Sequence, residues 1–191
     1  MSPADDNPPM ERQFISAWES FYVIVGSSGG ALIGLQFVVM TLLADRQSIA
    51  KPGALSAFGT PTVVHLTSAL VISAIMSAPW RSLFPVRIVL ATCGGGGLTY
   101  AIIAILRARR QTDYAPVLED WLWYLVLPCI AYGMLTVAAF VLRPGSDVGL
   151  FEVAVVALGL LLIGIHNAWD TVTHVVITGR TGAASESGDA E

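Results

Sequence analysis

The sequence predicts an all-α fold, a polytopic transmembrane helix bundle of five spans, on three observations. Five apolar runs of about 20 residues occur at roughly 21–43, 60–78, 84–106, 121–142 and 148–171. At ~1.5 Å of rise per residue each can cross a hydrocarbon layer of ~30 Å. Only 13% of the 191 residues are charged, 54% are apolar and the mean hydropathy is +0.68, so little of the chain suits a water-exposed surface. Aromatic residues stand at the run ends, where headgroups lie: Trp18, Phe21, Tyr22, Trp80, Trp121, Trp123, Tyr124 and Trp169.

The first run follows an acidic, proline-containing stretch and is too long for the apolar core of a cleaved signal, so it is expected to remain as a span. Thr60 and Pro61 read as an N-cap and first helical residue for the second span, and Phe84-Pro85 opens the third in a similar way. Pro128 lies well inside the fourth, where its missing N–H predicts a kink. Cys93 and Cys129 fall mid-span and read as free, apolar thiols. Residues 1–15 and 179–191 carry too little apolar surface to pack and are expected to be structureless tails, the second one acidic. The spans therefore fill a single domain, residues 16–178.

The formal charge of -4 arises in those tails, and the membrane body is close to neutral. Neither a basic field for nucleic acid nor a cofactor-binding motif is present, so no nucleic-acid partner and no cofactor are expected. The lipid bilayer is the partner that the composition implies. Arg12, Arg81, Arg87 and Arg143 lie on the N-terminal side, against Arg46, Lys51, Arg107, Arg109, Arg110 and Arg180 on the other. The excess predicts an outside N-terminus and a cytoplasmic C-terminus.

Four features could carry function. Gly26, Gly30 and Gly34 recur every four residues in VGSSGGALIG and form a groove for close helix approach, either to another span of the chain or to a second copy. The same stretch matches the short GxSG pattern of rhomboid intramembrane proteases, but Ser28 is placed at a different depth from every histidine and lacks a general base. Gly94, Gly95, Gly96 and Gly97 fall at mid-membrane, where they could unwind the helix as in transporters or offer a flat face for tight packing, such as against the first span's groove.

The fifth span ends in GIHNAWDTVTH, which sets His166, Asp170 and His174 four residues apart on one stripe, with Asn167 beside them. Counting spans puts His65 on the same membrane side. Neutral imidazoles and a carboxylate gathered there would suit a divalent metal or a proton relay, and solvated residues on a helix end are the alternative.

The strings WESFYVIVGSSGGALIGLQFVV, VLEDWLWY and IGIHNAWDTVTH resemble a group of short bacterial multi-pass membrane proteins without an assigned activity. The resemblance implies a bacterial inner-membrane location and no chemistry. The expectation is a small integral membrane protein, an oligomeric channel or transport component with a proton- or cation-responsive cluster. A non-catalytic accessory subunit of a membrane complex and a small lipid-acting enzyme are the alternatives. Cysteine labelling of intact cells tests the orientation. With Cys93 and Cys129 replaced, an impermeant reagent should modify a cysteine at Ser2 and spare one at Ser185; the reverse pattern inverts the topology.

Overall fold

The computed structural model describes the backbone of residues 18–44, 52–108, 121–144 and 147–188, with side chains for 18–42, 60–106, 121–144 and 147–173. Five helices follow one another: α1 (Glu19–Ala44), α2 (Pro52–Ser77), α3 (Leu83–Ala108), α4 (Leu127–Val141) and α5 (Asp147–Gly188). A π-helical turn, Leu122–Val126, leads into α4. Each of the five is long and apolar enough to cross a membrane, counting α4 with its π turn, and no strand occurs among the described residues.

The helices differ in how much of their surface the bundle covers. α2 and α5 form the centre, with α1 packed on α2, α4 packed on α5, and α3 packed mainly on α4. The outer faces of α1 and α3 carry Ile24, Phe37, Leu42, Phe84, Ile88 and Leu106, all exposed. In water such faces would be a liability, but against acyl chains they are solvated. Inward, Leu66, Ala69, Ile72, Leu135, Ala157 and Leu160 lie within one buried cluster.

Glycines set the closest approaches. A Cβ at Gly26 would come within 2.9 Å of the Ser73 Cβ, and one at Gly30 within 3.3 Å of Leu70, so this face of α1 is taken by α2. Close approach of a second copy through Gly26 and Gly30 is therefore displaced by intramolecular packing, while Gly34 faces open space. A Cβ at Gly164 would press on Leu66, which holds α5 to α2. In α3 the helix runs unbroken through Gly94 to Gly97, and the expected midplane unwinding does not occur. Gly94 packs on Thr136 and Gly97 on the ring of Tyr132, so the flat face serves α4 and not α1. Tight van der Waals contact offsets the poor helix propensity of glycine, and in hydrocarbon an unwound turn would also expose unpaired peptide groups.

Three boundaries differ from expectation. α2 begins at Pro52, so Pro61 lies inside a helix it was expected to start. Pro52 itself supplies the preset φ of a first helical residue, and one missing bond nine residues later does not end a helix already propagating. α5 continues to Gly188 without a proline to stop it, across residues expected to be structureless. Its 42 residues span ~63 Å, far more than the ~30 Å core, so the helix extends well past the membrane. Pro128 produces a wide turn in place of a simple kink: the Leu127 N–H reaches Leu122 O, one residue beyond the α-helical partner. The N-terminal segment 1–15 lies outside the described residues.

Side chains close the helix ends. The Trp80 indole N–H donates to Ile75 O near the end of α2. Arg87 donates from Nε to Ala139 O at 2.9 Å and from its guanidinium to Phe140 O at 3.3 Å, which pairs carbonyls that α4 leaves open.

The glycine contacts predict a contrast within one motif. Gly97→Ala should destabilise the bundle by ~1–3 kcal/mol through overpacking on Tyr132. Gly95, which meets no atom within 4 Å, should accept alanine with no loss or a gain of up to ~1 kcal/mol. Thermal unfolding in one detergent checks the difference, and equal effects would contradict the packing described.

Candidate functional site

The buried polar groups fall into two sets with different partners. The first set joins α2 to α4. His65 is 1% exposed, and its Nδ1 lies 3.0 Å from the Tyr132 hydroxyl. That hydroxyl lies 2.9 Å from Ser68 Oγ, and Ser68 in turn donates to Val64 O at 2.8 Å. The Tyr132 ring rests on Gly97 of α3, where any larger residue would displace it.

Counting protons orders this chain. Ser68 has one hydroxyl proton and places it on Val64 O, so it must accept from Tyr132. Tyr132 has then used its proton, and the third contact is made only if His65 carries hydrogen on Nδ1. The Nε2 of a neutral His65 is then a bare acceptor. That atom is buried and has no protein partner.

The second set joins the π turn to α5. Trp123 stacks on the His166 ring, with centroids 3.9 Å apart and planes 16° from parallel. Tyr124 donates to Asp170 Oδ2 at 3.0 Å, and its hydroxyl also lies 3.4 Å from Asn167 O. The wide turn ahead of Pro128 thus presents two consecutive aromatic residues to one helix. Thr171 donates to Asn167 O at 2.8 Å. The Asn167 side chain is fully buried, and neither its oxygen nor its nitrogen has a protein partner.

His166, Asn167 and Asp170 therefore gather along the seam of α5 with the π turn. His65 makes its contact eight residues further along that chain, at Tyr132, although its own backbone lies only ~3 Å deeper than that of Asn167. The polar stripe divides into an aromatic-capped outer part and a hydroxyl-linked inner part. The side chain of His174 lies outside the described residues. Among the described residues no three His, Cys, Asp or Glu side chains come together as a metal site.

Further inward-facing polar groups continue the inner set. Gln36 of α1, Ser73 of α2 and Glu152 of α5 each hold a buried polar atom without a protein partner. Measured along the helices from the Gly164–Leu66 contact, Asn167 lies ~4.5 Å toward one surface and His65 ~1.5 Å the same way. Ser73 lies ~10 Å and Glu152 ~18 Å toward the other. These depths cover most of a ~30 Å hydrocarbon core.

Sequence spacing identified His65, His166, Asp170 and Asn167 but not Tyr132 or Ser68. Tyrosine and serine in an apolar run carry no pattern of their own. Only the tertiary contact of α4 with α2 selects them. Comparison with known protein families, with curated proteins and with solved structures gave no match.

The proton order is open to measurement. Nitrogen NMR of ring-labelled histidine in lipid should show His65 protonated at Nδ1 and bare at Nε2, and Tyr132→Phe should abolish that preference. A parent protein with the Nε2–H tautomer would contradict the assigned chain.

Proposed function

We propose that this small integral membrane protein conducts protons along a water-bridged polar file through the centre of its bundle. One observation carries the reading: buried polar atoms of Gln36, His65, Ser73, Glu152 and Asn167, drawn from three helices, have no protein partner and recur across most of the hydrocarbon depth. An unsatisfied buried polar group costs ~1–3 kcal/mol, and several such groups in one bundle call for water, which polar sites of this kind retain.

His65 is the central element. With Nδ1–H donating to Tyr132, its bare Nε2 can take a proton from a neighbouring water. The Nδ1 proton then passes to Tyr132, the Tyr132 proton to Ser68, and the proton that Ser68 held on Val64 O turns to a water of the file, which carries it on. The two inner donors, His65 Nδ1 and the Tyr132 hydroxyl, already lie within 3.0 Å of their acceptors. Reorientation of the imidazole or reverse hydroxyl rotation resets the chain. Imidazole suits the task because one ring nitrogen can accept a proton while the other gives one up.

The cytoplasmic membrane of a bacterium, with the N-terminus outside, is the proposed location. It rests on the bacterial resemblance and on the arginine distribution. A proton pathway there would act on the gradient that such membranes maintain.

Proteoliposomes with a potassium-diffusion potential and an internal pH dye test the function. Proton entry should exceed that of protein-free vesicles. Asn167→Leu replaces the polar group by an apolar one of similar size, so the bundle should keep its thermal stability. Its flux should fall about tenfold or more, as loss of ~1.4 kcal/mol of hydrogen bonding at one step implies. Flux equal to empty vesicles, or unchanged in a well-folded Asn167→Leu variant, would overturn the proposal.

A further inference from the structure

A cleft of about 290 Å³ lies between α2 and α3 with α4 as its floor. Val64, Thr67 and Val71 form one wall, Cys93 and Gly96 the other, and Ser68 and the buried Tyr132, joined hydroxyl to hydroxyl, also line it. Thr67, Val71 and Gly96 are exposed on the bundle surface, so at mid-span the mouth opens sideways into acyl chains and not into water. α2 and α3 touch each other little, and a Cβ at Gly96 would meet nothing within 4 Å. The cleft exists because these two helices diverge where α3 has no side chain to fill the gap.

Its volume and chemistry together select an occupant. A cavity of roughly 150 Å³ takes one benzene ring, so about 290 Å³ accommodates a head of two fused rings. The walls are largely apolar and aromatic, with Thr67, Ser68, Tyr100 and Tyr132 as the hydroxyl-bearing residues among them, as in sites for small lipophilic molecules. The Ser68 proton rests on Val64 O, a carbonyl that the α2 backbone ladder already employs. Turning that proton toward a ligand carbonyl therefore leaves no buried group unpaired.

We propose that the α2–α3 cleft binds the uncharged ring head of a membrane-dissolved quinone, its carbonyl accepting from Ser68 and its apolar tail leaving through the side opening. An acyl chain of a phospholipid would fill the apolar walls but gain no hydrogen bond from Ser68, which a ring carbonyl would. A charged head would have to enter through hydrocarbon. The proposal shares Ser68 and Tyr132 with the proton pathway, but it concerns binding alone and stands or falls without measured flux.

The test uses 2,3-dimethyl-1,4-naphthoquinone, whose substituted ring has no open carbon for thiol addition at Cys93. It is titrated into nanodiscs holding the full chain with ¹⁵N-labelled glycine. Saturable shifts of the Gly96 and Gly97 amides, with Gly34 unmoved, are expected. Gly96→Leu, whose Cβ would meet nothing within 4 Å, fills the cleft and should abolish the response, Gly34→Leu should retain it, and Ser68→Ala should weaken it about fivefold through one lost hydrogen bond. No saturable response in the parent, as when a phospholipid chain holds the cleft, overturns the proposal. Equal binding by Gly96→Leu does so as well.

Discussion

The contact of the Tyr132 ring with Gly97 is the constraint on which the inner site depends. The ring lies where a side chain from α3 would otherwise stand, and this fixes its hydroxyl between His65 and Ser68 of α2. Three helices meet in this arrangement: α3 supplies the space, α4 the phenol and α2 the acceptor and donor. A phenol buried at this depth is expensive unless its oxygen is paired, and here it has two partners. Close packing and polar satisfaction are therefore one device, and disturbing the glycine would disturb the hydrogen bonds with it.

The bilayer explains why so much polar chemistry is collected at the centre. Lipid offers no driving force for apolar helix faces to associate, so α1 and α3 can leave large residues outside while small residues and hydrogen bonds hold them in place. α2 and α5 have the most covered faces of the bundle and there carry His65, Ser73, Glu152 and Asn167, residues that would be costly on a lipid-facing surface. The π turn before Pro128 adds a second consequence. By widening one turn it presents Trp123 to His166 and Tyr124 to Asp170 together, and so closes one end of the α4–α5 seam.

Much of the fold was legible because membrane thickness fixes span length. Five apolar runs bounded by aromatic residues correspond to five helices, with ends displaced where Pro61 failed to start α2 and where nothing stopped α5 at the expected point. The glycine faces were legible as packing surfaces but not in their partners, since a row of glycines states only that something approaches closely. The site was legible in part. Helical spacing grouped His166, Asn167 and Asp170 on one segment, and span counting brought His65 to their side of the membrane. Period alone does not fix depth across two helices or select a partner such as Tyr132 from an apolar run.

The central claim is that the inner polar groups are hydrated although they are sealed from lipid. Water-edited solid-state NMR of the protein in bilayers, with labelled histidine and asparagine, tests this most directly. Rapid magnetisation transfer from water to the His65 ring and the Asn167 side chain, with none to the neighbouring Leu66 methyls, is predicted. A His65 ring and an Asn167 amide as dry as Leu66 would contradict the account.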